Sequence, residues 1–326
     1  MEIYGPVDEL YENRLRLLEV ADAAGFWGYH KAEHHFTVLD AAPSSTVFLA
    51  AASQRTKHIR LGSLVKLLPF YNPMRLLEEI SVLDHLCAGR LEVGVGKGVS
   101  PVEHELWGLE PETAAARFEE TFEILRLGLT GDRLEHHGAV FSYDLPIVQR
   151  PLQRPHPPFW YPGNTEYAGR HRLSTITGGP MHALAPRIAR FRELTASAPD
   201  DWSGGHEPNI GVTAHLYLAK SDELARARVE TAFPAYHRNL VSLWERYGTP
   251  LPGGGPTLGG NTEQALAVQT LVVGAPETLR AYINELVTVA EVEYFVGAFH
   301  WGDLTAEEAM NSLQLFVDEV MPSFGG

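Results

Sequence analysis

The sequence predicts an α/β fold: a (β/α)8 barrel whose first strand is short or missing. Three observations predict it. Strand-like and helix-length segments alternate along the 326 residues, so successive strands are joined by crossovers long enough for right-handed βαβ units and a parallel sheet. Seven strand-like segments occur, one fewer than a closed eight-stranded barrel needs. The chain is also longer than one small core requires, which leaves two domains or one large barrel, and no domain-sized shift in composition interrupts the rhythm.

The first helix spans 8–24, with Leu10, Leu15, Leu17, Leu18, Val20 and Ala21 on its apolar face and Gly25 ending it. A strand near 27–33 leads to a helix over 43–54, and a strand near 58–67 follows. The next helix starts after Asn72, with Pro73 suited to its first position and Gly89 just past its end. A strand near 90–96 runs into the glycine-rich VGVGKG, and 114–129 reads as a helix. The stretch HHGAVFSYDLPIVQRPLQRPHPP reads as irregular. A buried strand near 158–162 precedes a helix from Thr165, and a weaker strand near 173–177 precedes a helix over 186–196. A strand near 210–219 feeds a long helix kinked at Pro234. A helix over 276–289, a strand near 293–299 and a helix over 305–320 close the chain.

The strand that should precede the first helix has only MEIYG available. That stub is a truncated first strand, or the natural start lies upstream, or the barrel is open at this edge. The segment YGTPLPGGGPTLGGNTEQ, 247–264, is too rich in glycine and proline for helix or strand. A loop this long inside a compact domain reads as a lid rather than a linker, so 1–326 is expected to be one barrel domain.

Composition is ordinary for a folded soluble chain, at 44% hydrophobic and 21% charged. The formal charge of −15 argues against non-specific binding of nucleic acid or an anionic membrane, though not against a local basic pocket. The single cysteine, Cys87, cannot form an internal disulfide or a cysteine-based zinc site and reads as a small core or surface residue rather than a nucleophile. No signal peptide or membrane-length apolar run is visible, so a cytoplasmic location is expected.

Functional residues of such barrels collect at the carboxyl ends of strands. AEHHF, Ala32 to Phe36, lies at one of them. Adjacent histidines on a strand point to opposite sides, unlike the i, i+4 pair of HExxH, so a metal would need ligands from elsewhere, with His104 the nearest candidate. In VGVGKG, glycines let a backbone approach a ligand and Lys97 can neutralise a phosphate; a tight turn with a solvated lysine explains the pattern equally well. PGNTEYAG offers helix-capping amides to an anion, or simply caps a helix. Together, on successive strands, the two favour a shared phosphate site more than either does alone.

WGYHKAEHHFT, RTKHIRLGSLVKLLPFYNPMRLLEEISVLDHLCAGRLEVGVGKG, VVGAPETLRAYINELV and the tail from EYFVGAFHWGD resemble the bacterial luciferase-like flavin-dependent monooxygenases over nearly the whole chain. The resemblance implies a TIM barrel that binds reduced FMN at the carboxyl ends of its strands. It implies His34 as the active-site histidine. Lys97 stands where an arginine contacts the flavin phosphate, keeping the charge without the bidentate fork. Gly163, Asn164 and Thr165 form the phosphate-facing turn. Leu64 and Val65 match the place of a non-proline cis peptide beneath the isoalloxazine. Gly96 replaces a cysteine of the light-emitting members, so luminescence is not implied. Lys66, a charge inside a strand, reads slightly in favour of pointing outward and snorkelling to solvent. The implied activity is that of a two-component monooxygenase. A separate flavin reductase supplies reduced FMN, O2 adds at the flavin C4a to give a peroxide, and a small, fairly apolar substrate is oxidised, such as an aldehyde, ketone or aromatic compound. The alternatives are an F420-dependent hydride-transferring oxidoreductase of the same fold and a non-catalytic flavin-binding subunit. A homodimer packed through barrel helices is expected.

Overall fold

The computed structural model describes residues 5–39, 41, 43–199, 202–251 and 260–324. The chain runs α1 (Val7–Ala23), β1 (Gly28–Lys31), α2 (Ser45–Arg55), β2 (Arg60–Leu67), α3 (Pro73–Leu86), β3 (Leu91–Gly96), α4 (Pro101–Leu106) and α5 (Ala114–Thr130). It continues with β4 (Arg133–His137), β5 (Ser142–Pro146), β6 (Phe159–Trp160), α6 (Thr165–Arg170), β7 (Thr175–Thr177), α7 (Met181–Ser197) and β8 (Ile210–Leu218). The last part is α8 (Asp222–Tyr247), α9 (Thr262–Ala267), β9 (Leu271–Gly274), α10 (Pro276–Ala290), β10 (Tyr294–Ala298) and α11 (Ala306–Leu315).

All seven expected strands form, and they pair in barrel order. β1, β2, β3 and β6 make one parallel sheet, and β7, β8 and β10 another. A parallel bridge between Trp160 and Ser174 joins the two. Among the described residues no strand pairs with both β10 and β1, the place of the expected first strand. Residues 1–4 of the expected stub lie outside the described residues. Side chains connect β10 to β1: the Tyr294 hydroxyl lies 2.8 Å from His30 Nε2, and the Tyr294 ring meets Trp27 edge-on at 5.1 Å.

Local chemistry accounts for the helix ends. Asn72 Oδ1 accepts from the amides of Met74 and Arg75, with Pro73 at the first position as expected. Thr305 and Glu308 form a reciprocal capping box at the start of α11. α7 begins five residues before the expected 186, so Pro186 lies inside it and one helical hydrogen bond is lost there. After Leu315 the last helix passes into a wider π turn over Phe316–Val320.

Two expectations need correcting. The stretch read as irregular contains β5 and the end of β4, which pair as an antiparallel hairpin. The alternation is present in β5, where Tyr143 and Leu145 pack half-buried against the core between exposed Ser142, Asp144 and Pro146, but it runs for only five residues in a stretch rich in proline and histidine. β9, which pairs with the carboxyl half of β8, was also not anticipated.

The amino-terminal end of the barrel is plugged by a polar cluster. Glu92 is 2% exposed, accepts from Trp160 Nε1 at 2.6 Å and pairs with Arg60. Arg60 also reaches Gln153, which is held by Asp84 through two bonds of 2.7 Å. The plug leaves the carboxyl end of the strands as the open face.

Candidate functional site

The turn after β1 is organised by Glu33. The strand stops at Lys31, so the AEHHF motif lies in the following loop, where Phe36 adopts φ +59°. The Glu33 carboxylate is 2% exposed. It accepts from Tyr71 Oη (2.7 Å), Ser45 Oγ (2.9 Å) and the Leu67 amide (3.2 Å), and lies 3.3 Å from His35 Nε2. Desolvation alone would raise its pKa. The hydrogen bond from His35, the charge of Lys66 and the Tyr71 bond outweigh that and hold it below the ordinary range.

Lys66 is the counterpart, and it corrects an expectation. It points away from the barrel interior, as read, but does not snorkel to solvent. It is 2% exposed and donates to Thr46 Oγ1 (2.6 Å) and Ser45 Oγ (3.0 Å) at the start of α2. Desolvation pushes its pKa down and Glu33 pulls it back up. Removing one partner of such a pair strands a charge in the layer between barrel and helices. Glu33→Ala is therefore expected to cost about 3–5 kcal/mol in urea unfolding, and Glu33→Leu with Lys66→Met much less than either single change. Additive losses in that cycle would show that the two charges are not coupled.

His34 and His35 diverge, although from a loop and not from strand alternation. His35 packs edge-on against Phe70 and Trp107, and its amide donates to Glu103 Oε1 at 2.7 Å. His34 turns the other way, into a crevice of about 10 Å³ bounded by Glu103 and by Leu240, Leu243 and Trp244 of α8. Desolvation, helped by the charge of Lys31, lowers the His34 pKa to about 4. Glu103, 4% exposed, is shifted upward by desolvation. The end of α8 thus forms a roof over the open face. Val102 of α4 packs with Leu243 and Trp244, and Thr37 Oγ1 donates to the Asn239 carbonyl at 3.3 Å.

Within the expected lid at 247–264, residues 252–259 lie outside the described residues. Its described ends dock on the roof or cap helices: Gly248 ends α8 with φ +63°, and Gly260 sits against His237.

The peptide between Leu64 and Val65 is cis, as expected. The β2–β3 register shifts between Ser63 and Lys66. Here the glycines of VGVGKG find their reason. A Cβ on Gly94 would stand 2.2 Å from the Ser63 carbonyl, and one on Gly96 2.6 Å from Val65 Cγ2. They make room for the bend in β2 rather than for a ligand. Lys97 follows them and is exposed.

On the neighbouring strand end Gly163 has φ +96° with open space beside it. Asn164 Oδ1 caps α6 by accepting from the Tyr167 amide at 2.9 Å, and Thr165 is the first helical residue. β3 and β6 pair directly, so Lys97 and 163–165 share one rim. Cys87 is fully buried and its thiol is pushed up to about 11 by desolvation, which fits a packing role.

A cavity of about 500 Å³ lies along the β10–β1 seam, under α1. Leu64, Ile176, Thr213 and Val296 wall it from the barrel, and Leu17 and Leu18 from α1. Of the expected site residues it takes in Leu64 only. His34 lies under the roof, and Lys97 and 163–165 on the far rim. Lys31, Glu33 and Lys66 were not assigned roles from the sequence; the signal was there, as charges within or beside otherwise apolar strands.

The profile of the luciferase-like monooxygenases matches residues 4–290. The chain belongs to this family. This luciferase-like monooxygenase is 26% identical to the oxygenase component of the flavin-dependent trigonelline monooxygenase of Acinetobacter baylyi, over 97% of its own length and 90% of the relative's. Its fold matches the monooxygenase RslO1 of Streptomyces bottropensis with a TM-score of 0.85 at 24% identity, covering 99% of this chain and 96% of that one. The FMN-bound oxygenating constituent of 3,6-diketocamphane monooxygenase from Pseudomonas putida superposes with a TM-score of 0.81 at 19% identity, covering 100% and 97%. Among the described residues no helix is long and apolar enough to cross a membrane.

Proposed function

We propose that this luciferase-like monooxygenase works on reduced FMN and O2 to oxidise a small, largely apolar organic molecule. The observation that carries the reading is the family match together with a cavity of ligand size walled by Leu64, the residue expected beneath the flavin ring. The chain's residues fit the cofactor. Lys97 offers an exposed cation, and the turn at Gly163 leaves open space beside the capped start of α6, on the same rim. Bound reduced FMN would supply the electrons that activate O2. The protein would hold the phosphate with Lys97, Asn164 and Thr165, present Leu64 and Val65 to the ring, and exclude water with the α8 roof and the 247–264 segment. His34 would hold or move a proton beside the reacting atoms.

Reduced FMN would come from a separate flavin reductase in the cytoplasm; the relative's designation as an oxygenase component supports the split. A homodimer through α2 and α3 fits their exposed Val47, Val82 and Leu86, and a monomer mass by light scattering would exclude it.

Stopped-flow mixing of the anaerobic complex of protein and reduced FMN with O2 tests the core of the reading. The expected result is a protein-dependent transient flavin absorbance before reoxidation. Reoxidation indistinguishable from free FMN, with hydride transfer to F420, would overturn it. Lys97→Met is expected to weaken FMN about tenfold and riboflavin hardly at all. Equal losses for both would remove the phosphate from Lys97.

A further inference from the structure

The run SPVE, Ser100 to Glu103, has the spacing of a capping box, and half of one forms: Ser100 Oγ accepts from the Glu103 amide at 3.3 Å. The other half is diverted. Where Glu308 returns to the amide of Thr305, the Glu103 carboxylate leaves its own helix and accepts from the His35 amide through Oε1 at 2.7 Å. This sets a carboxylate, 4% exposed, at the edge of the crevice into which His34 turns. A third polar group lines the same crevice from α8. Trp244 is 7% exposed, and its buried Nε1 has no hydrogen-bond partner among the described residues. An unpaired buried N–H is costly, so one that persists calls for a ligand. The crevice, about 10 Å³, is close to the room that one water needs, and a buried water takes about three hydrogen bonds. Indole donates only, which suits a water oxygen and is a poor fit for a cation.

We propose that the crevice binds a single water that joins Glu103, Trp244 and His34, and that Glu103 is a positioning residue which takes up, through this water, the proton that His34 removes from the reacting atoms. The role of Glu103 rests on the reading of His34 given above; the water site does not. In the transfer an imidazolium N–H bond breaks, the water gains that proton and passes one of its own to the Glu103 carboxylate. Neutral imidazole, water and a neutral carboxyl remain, and no electrons change hands.

The electrostatics support the geometry. In water a histidine holds its proton more tightly than a glutamate. Here desolvation, helped by the charges of Lys31 and His35, lowers His34 to about 4, with Glu33 opposing. Desolvation raises Glu103 above its ordinary value, with the Glu33 charge adding to it and the His35 amide and ring opposing. The order of the two proton affinities is therefore reversed, and a proton on His34 runs downhill to Glu103.

The water site is tested on the flavin-free protein at neutral pH, with 15N-labelled indoles. Trp244→Phe assigns the Trp244 resonance among the six. That resonance is expected to receive magnetisation from a bound water and to move on Glu103→Gln, which keeps an acceptor for the His35 amide. The resonances of Trp27, Trp160, Trp202 and Trp301 should stay in place, which shows that the variant folds. Absence of the water contact, or of the response to Glu103→Gln, overturns the site. The role of Glu103 is read from the transient formed when O2 meets the complex with reduced FMN. Glu103→Gln is expected to change its lifetime by at least about threefold in the same direction as His34→Ala, and to add almost nothing in the His34→Ala background. A structural effect of the His35 bond would persist in both backgrounds, so a full repeat of the change there overturns the role, as does no change in the unaltered background. Absence of any transient overturns the monooxygenase reading and the role of Glu103 with it, while the water site stands or falls on the indole resonance alone.

Discussion

His34→Ala is expected to lower flavin-dependent turnover by about 10²–10⁴-fold while leaving reduced-FMN affinity within about threefold. The magnitude follows from what the ring can do. With its pKa near 4, His34 is neutral across the physiological range and offers one N–H and one lone pair. It therefore acts by hydrogen bonding or by transient proton transfer, not as a standing cation. Two consequences separate this from a structural role. The His34→Asn variant, which keeps a donor and an acceptor, should recover part of kcat. The pH profile of kcat/KM should show no limb near 6.5 that belongs to His34. Undiminished turnover in His34→Ala would end the assignment. The same ring shares a crevice with Leu240, Leu243 and Trp244, so the end of α8 borders the approach to it. Leu243→Ala should thus alter kcat and KM together.

The backbone plan was legible because its signal is local. Alternating segments placed all seven barrel strands within a few residues, even β6, which has only Phe159 and Trp160 in it. Asn72 with Pro73 announced a helix start by chemistry confined to four residues. The hairpin escaped because its alternation is short, five residues in β5, and sits in a stretch rich in proline and histidine. At the site, the motif AEHHF identified the right loop but could not show how it is held. Glu33 is fixed by Ser45, Leu67 and Tyr71, and Lys66 by Ser45 and Thr46, pairings that exist only after β1 and β2 align. His34 is bordered by side chains some two hundred residues away on α8. The glycines of VGVGKG were visible, but their purpose depends on the bend in the neighbouring strand.

Acid should unfold this protein between about pH 6.5 and 4, with uptake of several protons. Four histidines, His30, His34, His215 and His300, are each lowered to about 4, in every case first by desolvation. The unfolded chain binds a proton on each near pH 6.5 and the folded chain does not until about pH 4, so the unfolded state holds more protons throughout that window. Stability then falls as pH falls, by up to about 1.4 kcal/mol per pH unit for each histidine and about 5.5 kcal/mol per unit for all four. Set against a typical stability of about 5–15 kcal/mol, one or two pH units are enough. Glu92 and Glu103, whose pKa values are raised by desolvation, work the other way and offset part of the loss. Glu33, held low, adds a further loss only as the pH drops through the carboxylate range. His215 isolates one proton of this set, because it packs against Tyr236 and Trp301, away from the His34 loop. Urea unfolding from pH 7.5 to 4.5 should show a steep positive slope of stability with pH. His215→Leu should make it shallower by about one proton, or about 1.4 kcal/mol per pH unit. A stability that stays flat from pH 7 to 5 would mean that water inside the barrel solvates the imidazolium forms, and that His34 can carry a proton at neutral pH after all.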